Sequence, residues 1–217
     1  PPAYEGEIED GSMKPLISGA EAKRYEEPQT ETYLLFPYER DASGQMRLMA
    51  ATAMARRFPK AWAYLRSWEK ELRKREKKAF DDDRWYRFGR SQNIDKQDVE
   101  KLIVPRLVQH LKVSLDASGE VCLDNVDVGG VLPAPNADPM YLMAVLNAPV
   151  ADFVFRAISK PFQNDYRSAN KQFIAPLPVP DASDSERAEV ARLARALQQS
   201  WTRRRDLMDE AERRLGV

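Results

Sequence analysis

The stretch Val99-Glu100-Lys101-Leu102-Ile103-Val104-Pro105 predicts a β-strand, because branched apolar residues dominate it and a proline closes it. Downstream, Lys112–Leu115 and Val121–Asp124 are two further β-rich runs. The residues Asp116-Ala117-Ser118-Gly119 between them are typical of a turn. The two runs are therefore predicted to pair with each other as a hairpin.

Two short helices are predicted immediately after these strands. Asp138 is a suitable N-cap and Pro139 suits the first helical position, so Tyr141–Leu146 is predicted to be helical. Asn147-Ala148-Pro149 interrupts the helix, which resumes over Val150–Ile158.

The region before the central strand predicts one more strand and two helices. Thr32–Phe36 is β-rich and stops at Pro37, and Asp41-Ala42-Ser43-Gly44 predicts a turn. Arg47–Arg57 is rich in the helix formers Ala, Met and Leu, and a second helix is predicted to begin at Pro59. The apolar stripe of that second helix consists of Phe58, Trp62, Leu65, Trp68 and Leu72.

The two ends of the chain differ from the middle. Residues 1–13 carry little hydrophobic pattern and are predicted to form an extended, acidic arm. Residues 14–180 are predicted to form the folded domain, which a stiff proline-rich connector joins to residues 181–217. That last segment predicts a long amphipathic helix starting near Asp184 or Ser185, which either lies back on the domain or pairs with another helix. Its apolar residues are Val190, Ala194, Leu197, Trp201, Met208, Ala211 and Leu215.

Composition excludes several classes of protein. An apolar fraction of 43% and a charged fraction of 31% over 217 residues exclude a membrane protein and a wholly disordered chain. Lys and Arg total 34, as do Asp and Glu, so the net charge of zero indicates no particular partner. The single cysteine, Cys122, excludes a disulfide framework and fits the reducing environment of the cytoplasm.

Few residues in the sequence suit catalysis. The only histidine, His110, lies in an apolar run, where a structural role with one face on the core is expected. Gly129-Gly130 lacks the Lys-Ser/Thr of a phosphate loop. Asp81-Asp82-Asp83 could hold a divalent cation but is more typical of a solvated helix stop, and Glu21-Ala22-Lys23 lacks the upstream Asp of a nuclease. These residues favour a binding module over an enzyme.

The uneven distribution of charge points to a nucleic-acid ligand. Residues 56–90 carry thirteen Lys or Arg against six Asp or Glu, which suits either phosphate neutralisation or a solvated helix face. Arginines and aromatics interleave over residues 84–92, where Gly89 is predicted to allow a tight approach or a positive φ and Trp85 and Phe88 are predicted to be core anchors. The candidate DNA-binding side chains here are Arg84, Arg87, Arg90, Ser91 and Gln92.

A second polar run, residues 163–172, has the same chemistry. Lys171 suits either a phosphate contact or a solvated surface. Together the two runs predict nucleic-acid binding. The candidate side chains of this run are Asn164, Arg167, Asn170, Lys171 and Gln172.

Seven segments, in order from about residue 14 to residue 180, resemble the C-terminal specificity domain of TaqI-like adenine-specific DNA methyltransferases. Such domains are the target recognition parts of restriction–modification enzymes. Ala148 stands where the family's Leu-Leu-Asn-Ser helix has Ser. The matching segments are Lys14–Tyr25, Leu34–Tyr38, Phe58–Leu65 with Leu72 and Arg75, Trp85–Gln92, Lys101–Pro105, Tyr141–Ala148 and Leu177–Pro180.

The resemblance implies a function and its partners. It implies an α+β fold with a mixed sheet and flanking helices, similar to that of DNA methylase specificity domains. It further implies double-stranded DNA as ligand, an N-terminal methyltransferase domain of the same parent protein as partner, and no membrane. It also implies methyl transfer from S-adenosylmethionine to adenine N6, performed outside this sequence, because the family's Asn-Pro-Pro-Tyr motif and cofactor loop have no match here.

No cofactor is therefore expected in this chain, and its start at Pro1-Pro2, without Met, is interpreted as that of a fragment of a longer protein. The alternative function is that of an interaction module in a multi-subunit restriction or phage-defence complex. Such a module would pair through the C-terminal helix.

Overall fold

The computed structural model describes residues 6–216, so the first five residues of the predicted arm lie outside the described residues. The chain is α+β, and its internal contacts divide it into two compact units. Unit 1 comprises Pro1–Pro15 and Thr32–Gln97, and unit 2 comprises Leu16–Glu31 and Asp98–Val217.

The strands are short, and the longest have five residues. In chain order they are β1 Met13–Ile17, β2 Tyr33–Leu35, β3 Tyr38–Arg40, β4 Met46–Leu48, β5 Lys101–Pro105, β6 Leu107–Val108, β7 Ser114–Asp116, β8 Cys122–Leu123, β9 Val128–Val131 and β10 Arg167–Ser168.

The helices range from single turns to one very long element. They are α1 Ala51–Arg57, α2 Pro59–Ser67, α3 Glu69–Arg73, α4 Arg75–Lys78, α5 Pro139–Leu146, α6 Pro149–Ile158, α7 Lys171–Ile174 and α8 Asp184–Leu215. Short 3₁₀ helices add Asp10–Ser12, Ile94–Lys96 and Gln163–Asp165.

The strands of unit 1 form two antiparallel pairs. Residues Met13–Pro15 pair with β2, which confirms the strand predicted over Thr32–Phe36. The predicted turn at Asp41–Gly44 is also confirmed, and it joins β3 to β4. The helix predicted from Arg47 is wrong at its start, because backbone pairing with β3 holds residues 46–48 extended.

The basic helical segment of unit 1 begins at Pro59, as predicted, but it is not one helix. It breaks at Trp68, which has φ −106°, and ends in a left-handed turn over Glu76, Lys77 and Lys78, with φ values of 46°, 57° and 72°. Leu65 of the predicted stripe is buried. It packs in a core made of Met49, Met54, Trp85 and Tyr86, with Phe58, Trp62 and Leu72 at its edge.

The acidic residues before β1 contact this helical segment. The Glu9 carboxylate accepts hydrogen bonds from the Lys60 amide at 2.8 Å and the Ala61 amide at 2.9 Å, and Glu7 pairs with the Lys60 ammonium. Free amides at a helix N-terminus favour a carboxylate. Glu9 therefore caps α2 from a distant part of the sequence.

A three-stranded antiparallel sheet in the order β7-β5-β9 organises unit 2. The predicted hairpin between residues 112–115 and 121–124 is wrong, because β7 pairs with β5 while β8 pairs in parallel with Leu16 and Ile17. All five residues of β5 are buried, so its backbone groups need partners along both edges.

A buried ion pair connects β5 to β7. The Lys101 ammonium lies 2.6 Å from an Asp116 carboxylate oxygen, and the two side chains are 1% and 3% exposed. Asp116 also accepts hydrogen bonds from the amides of Gly119 and Val121, at 2.9 and 3.3 Å. The same carboxylate thus neutralises a buried lysine and holds the following turn.

The helices of unit 2 agree closely with the predicted positions. Asp138 caps α5 by accepting hydrogen bonds from the amides of Met140 and Tyr141, at 2.8 and 3.3 Å. α6 follows from Pro149, and α8 begins at Asp184 with a capping box formed by Ser183 and Glu186. The two predicted helices and the long C-terminal helix are confirmed.

α8 packs against α5 through a buried face that shares only Ala194 with the predicted apolar stripe. It buries Ala191, Ala194 and Gln198, whereas most of the predicted apolar stripe is exposed. Leu197 is 44% exposed and Trp201 38%, because small residues allow α8 to approach α5 closely where bulky ones would not. Within residues 6–216, no single helix is long and apolar enough to cross a membrane. Only α5 and α6 together pass on length and composition, and they are bent by 62°.

Candidate nucleic-acid interface

Residues 81–93 of unit 1, which we call the Arg90 loop, are anchored by buried aromatic rings. Trp85 is 4% exposed and its ring centroid lies 5.6 Å from that of Trp62. Tyr86 is 5% exposed, and its hydroxyl donates a 2.6 Å hydrogen bond to the Met49 carbonyl. The prediction that Trp85 is a core anchor is therefore confirmed.

Phe88 anchors the second half of the loop. Its ring packs 5.0 Å from Tyr38 and 5.8 Å from Phe36, between centroids. Its amide donates a 2.8 Å hydrogen bond to the Tyr38 hydroxyl, and burial raises the pKa of that hydroxyl above its ordinary value. Phe88 is half-buried and serves the loop as an anchor, as predicted.

Two arginines hold the path of the loop from inside. Arg75 donates hydrogen bonds to the carbonyls of Trp85 and Arg87, at 2.7 and 2.9 Å, and its guanidinium lies 4.1 Å from the Phe80 ring. Arg87 lies over the same ring at 4.4 Å, so Phe80 contacts two cations. Burial, with the nearby charge of Arg87, lowers the pKa of Arg75 from its ordinary value.

The guanidinium of Arg87 is occupied by intramolecular contacts. It donates to the Asp82 carboxylate at 2.6 Å, to the Arg84 carbonyl at 3.0 Å and to the Ala79 carbonyl at 2.9 Å. The Arg87 hydrogen bond also lowers the pKa of Asp82. Arg87 was predicted to bind DNA, but in this position it fastens the loop.

The remaining predicted side chains of the loop are available to bind a ligand. Within the described chain, the side chains of Arg84, Arg90, Ser91 and Gln92 are exposed and make no hydrogen bond or ion pair. Arg84 and Ser91 line a cleft of about 690 Å³ whose floor includes Tyr86. A fixed backbone thus presents free polar side chains beside a cleft, the arrangement that base recognition needs.

The predicted backbone role of Gly89 is wrong. Its φ is not among the positive values of the chain. A Cβ at this position would lie 3.6 Å from a Glu76 carboxylate oxygen and 3.9 Å from the Phe80 ring, which are ordinary contacts. Because Arg75 and Arg87 already set the backbone path, the loop does not depend on a glycine here.

Asp81 and Asp82 pair with arginines. Arg73 contacts Asp81 at 3.4 Å and Arg87 contacts Asp82 at 2.6 Å. Among residues 6–216, no group of three or more His, Cys, Asp or Glu side chains is arranged to hold a metal ion. These carboxylates balance the charge of the arginines.

Ion pairs neutralise part of the basic stretch at residues 56–90. Arg57 pairs with Glu39, Lys60 with Glu7, and Arg66 and Arg73 with Glu69. The cations that remain exposed and without an ion pair in the described chain are Arg56, Lys70, Lys74, Lys77, Lys78, Arg84 and Arg90.

The predicted residues in unit 2 also divide into occupied and free side chains. Arg167 donates to the carbonyls of Arg156 and Ser159 and contacts Asp165 at 3.4 Å, so it caps the C-terminal end of α6. Asn170 donates a 2.7 Å hydrogen bond to the Ser168 hydroxyl. Both side chains serve the local fold.

The other three predicted residues of this run are exposed. Asn164 adopts a left-handed conformation with φ 58°, which asparagine tolerates well, and its side chain has no partner in the described chain. Lys171 and Gln172 lie exposed in the first turn of α7, and neither side chain is hydrogen-bonded among residues 6–216.

The predicted core position of His110 is wrong, because its side chain is 64% exposed. Its Nδ1 lies 2.8 Å from one oxygen of Asp152, and the other oxygen accepts a 2.6 Å hydrogen bond from the Leu111 amide. The carboxylate therefore turns the imidazole outward, at the edge of a cleft of about 450 Å³. Sequence analysis missed this pair because 42 residues separate its members.

A comparison with protein-family models and with curated proteins finds no match for this chain.

Proposed function

We propose that the chain is the target recognition domain of an adenine-N6 DNA methyltransferase of the restriction–modification type. Its fold would be similar to that of DNA methylase specificity domains. The observation that carries the proposal is the Arg90 loop, where free Arg90 and Gln92 side chains project from a backbone held by Arg75, Arg87 and Trp85. Base readers require such preorganisation, because each ordered side chain otherwise costs entropy on binding.

Different residues of the chain would contact the bases and the phosphates of the DNA. Arginine suits bidentate contact with guanine and glutamine with adenine, which assigns base reading to Arg90 and Gln92. The exposed cations of unit 1, such as Lys74 and Lys78, would hold phosphates and set register. In unit 2, Asn164, Lys171 and Gln172 would provide further contacts, whereas Arg87 and Arg167 would act as positioning residues.

The chemistry of methyl transfer would belong to a partner domain. An adenine inside a duplex must leave the base stack before its N6 can react. The N-terminal methyltransferase domain of the parent protein, outside this sequence, would hold S-adenosylmethionine and take up the flipped adenine. This chain would hold the flanking duplex in register while that happens.

The test uses the protein that contains this sequence, expressed in a bacterial host whose DNA is then sequenced with detection of modified bases. We expect N6-methyladenine within one short motif. Arg90→Ala and Gln92→Ala should each relax one position of that motif, with a loss of about 1–3 kcal/mol in discrimination. Arg203→Ala is the matched control, because Arg203 is exposed on α8 and makes no ion pair in the described chain.

Three results would change the proposal. Methylation unchanged in both loop variants would move base reading to the segment with Asn164 and Gln172. An equal loss at every motif position would make Arg90 a phosphate contact. A host genome without any modified adenine would argue against the methyltransferase and favour the alternative.

The alternative is an interaction module, and the exposed face of α8 favours it. Bulky apolar residues continue along that helix beyond its packing with α5: Leu193, Leu197, Trp201, Met208 and Leu215, each at least 38% exposed. Such a stripe is typical of a helix that pairs with another helix.

Deleting α8 would be a poor test of the alternative, because Ala191 and Ala194 are buried in unit 2. We expect Leu197→Gln combined with Trp201→Gln to keep the fold, since both side chains are exposed. Loss of assembly with retained DNA binding, measured by size-exclusion chromatography with light scattering, would support the interaction module. Unchanged assembly would exclude this face as the contact.

A further inference from the structure

The cleft beside His110 carries more positive than negative charge. Arg24, Lys112 and His110 line it together with one carboxylate, that of Asp152. With a neutral imidazole the four groups sum to one positive charge, and with an imidazolium to two. We infer that this cleft binds a phosphate group, from a nucleic-acid backbone or from a small phosphorylated compound.

Both carboxylate oxygens of Asp152 already have partners within the protein. One of its oxygens contacts His110 Nδ1 at 2.8 Å and the other accepts the Leu111 amide at 2.6 Å. A proton on Nδ1 satisfies the carboxylate and leaves Nε2 without a partner among residues 6–216. A protonated ring would offer Nε2–H as a donor to an incoming anion.

Among residues 6–216, neither of the two permanent cations of the cleft forms an ion pair with a carboxylate. Arg24 donates a 2.6 Å hydrogen bond to the Leu111 carbonyl, which fixes its guanidinium, and its other N–H groups have no partner in the described part of the chain. Lys112 makes no hydrogen bond or ion pair within the described chain. Cations held in place without a counter-charge are the usual means of binding phosphate.

Two further features of the cleft agree with a phosphate. Pro149, the first residue of the ten-residue helix α6, lines it, so the positive end of that helix lies at the cleft. Tyr166 also lines the cleft, and its exposed ring is available for stacking or sugar contact. Gln109 donates a 3.0 Å hydrogen bond to the Asn164 carbonyl and so ties the cleft to the second predicted run.

None of the described residues that line the cleft is Ser, Thr or Cys, the side chains that a His–Asp pair most often activates as nucleophiles. The arrangement therefore suits binding rather than covalent chemistry. The inference goes beyond the proposed function and does not depend on it, because phosphate binding requires neither base reading nor methyl transfer.

The test uses NMR on the full chain, where the only histidine gives a single set of imidazole signals. Inorganic phosphate is titrated at neutral pH, with sodium chloride at matched ionic strength as reference. We expect a saturable shift of the His110 signals with phosphate. Arg24→Gln and Lys112→Gln should each weaken phosphate binding about tenfold, the effect of losing one charge-assisted hydrogen bond. Arg203→Gln should leave the affinity unchanged.

A second titration with duplex DNA of random sequence separates the two sources of phosphate. Displacement of phosphate by the duplex, weakened in the same two variants, would identify the backbone of a nucleic acid as the ligand. If phosphate binds but the duplex does not shift the His110 signals, the ligand is a small phosphorylated compound. The absence of a saturable shift with both phosphate and the duplex would overturn the inference. Shifts of the same size with sodium chloride would also overturn it.

The Lys112→Gln variant keeps the test valid if Arg24→Gln unfolds the chain, because Lys112 has no internal partner to lose. Equal phosphate affinity of Lys112→Gln and the unchanged protein would also overturn the inference. The methylation pattern of host DNA is an independent readout, so failure here and failure of the proposed function are distinguishable.

Discussion

Arg87 and Arg90 lie three residues apart on one loop, yet their side chains have opposite environments. The Arg87 guanidinium makes three intramolecular hydrogen bonds, and Arg90 makes none within the described chain. We expect Arg87→Ala to lower the free energy of unfolding by about 1–3 kcal/mol. Arg90→Ala should change it by less than about 0.5 kcal/mol. Urea unfolding followed by circular dichroism measures both, and equal losses would contradict the assignment.

The buried pair of Lys101 and Asp116 predicts a large effect of a single substitution. Lys101→Met removes one member and leaves an uncompensated carboxylate that is 3% exposed. We expect a loss of about 3–5 kcal/mol in the free energy of unfolding. Lys160→Met, at an exposed lysine of the same unit, is the control and should change stability by less than about 0.5 kcal/mol. A small loss in Lys101→Met would mean that water reaches the pair.

At this scale the sequence identifies which residues are candidates but not which side chains are free. The burial of Trp85 could be predicted although arginines interleave with the aromatics there, because tryptophan is highly buried on average. The occupation of Arg87 depends on the Ala79 carbonyl and the Asp82 carboxylate, whose positions follow from the path of the whole loop. His110 is similar, since its Asp152 partner comes from a different element.

Among the elements, α4 contains an unusual left-handed turn that predicts a stabilising substitution. Lys77 has φ 57°, a conformation that costs an L-residue about 1–2 kcal/mol and costs glycine nothing. We expect Lys77→Gly to raise the free energy of unfolding by about 0.5–1 kcal/mol. Lys74→Gly is the matched control, because Lys74 is right-handed with φ −77°, and it should lower stability by a similar amount. Thermal unfolding of the two variants shows whether each substitution raises or lowers the stability of the protein.

The hairpin of β3 and β4 predicts a dependence of stability on pH. Asp41 accepts hydrogen bonds from Ser43, Arg47 and the Gln45 amide, which hold the pKa of its carboxyl far below its ordinary value of 3.8. A carboxyl whose pKa is lower in the folded state stabilises the protein above its ordinary pKa. That contribution disappears as the pH falls through the folded value.

The measurement compares the unchanged protein with Asp41→Asn between about pH 6 and pH 2. We expect the unchanged protein to be the more stable at the upper end, and the difference to shrink as the pH falls. A constant difference over the whole range would show that the charge of Asp41 does not contribute.

Helix positions in this chain could be predicted because their signals are local. α5 begins at Asp138-Pro139 and α2 begins at Pro59, and these residue types are favoured at a helix N-terminus. Strand pairing could not be predicted in the same way. Residues 114–116 and 122–123 lie close in sequence, but the first segment pairs with β5 and the second with β1. Burial of the strand backbones, rather than closeness in sequence, determines which strands pair.

For the whole molecule, the proposed function together with a net charge of zero predicts weak DNA binding that depends strongly on salt. Attraction would rest on local groups of unpaired cations rather than on an overall field, and each phosphate contact would release a counterion. We expect Lys74→Ala to weaken binding to all duplexes equally and to reduce the slope of log affinity against log salt by about 1. Filter binding at several salt concentrations measures this, and affinity independent of salt would contradict it.

The division of the chain into two units was not apparent from its sequence. Thr32–Gln97 interrupts unit 2 between residues 31 and 98, so neither unit is a simple stretch of the chain. Sequence analysis treated residues 14–180 as one domain, because the segments that resemble the specificity domain follow one another along this whole range. Long-range contacts such as that of Tyr25 with Val113 set the division instead.

The positions of the four tryptophans give this division a practical consequence. Trp62, Trp68 and Trp85 lie in unit 1, and unit 2 has only Trp201, 38% exposed on α8 beneath the Arg204 guanidinium. Tryptophan fluorescence therefore reports mainly on unit 1, and after Trp201→Phe it would report on unit 1 alone. A difference between the fluorescence midpoint and that of a whole-chain probe would reveal that the two units melt in separate steps.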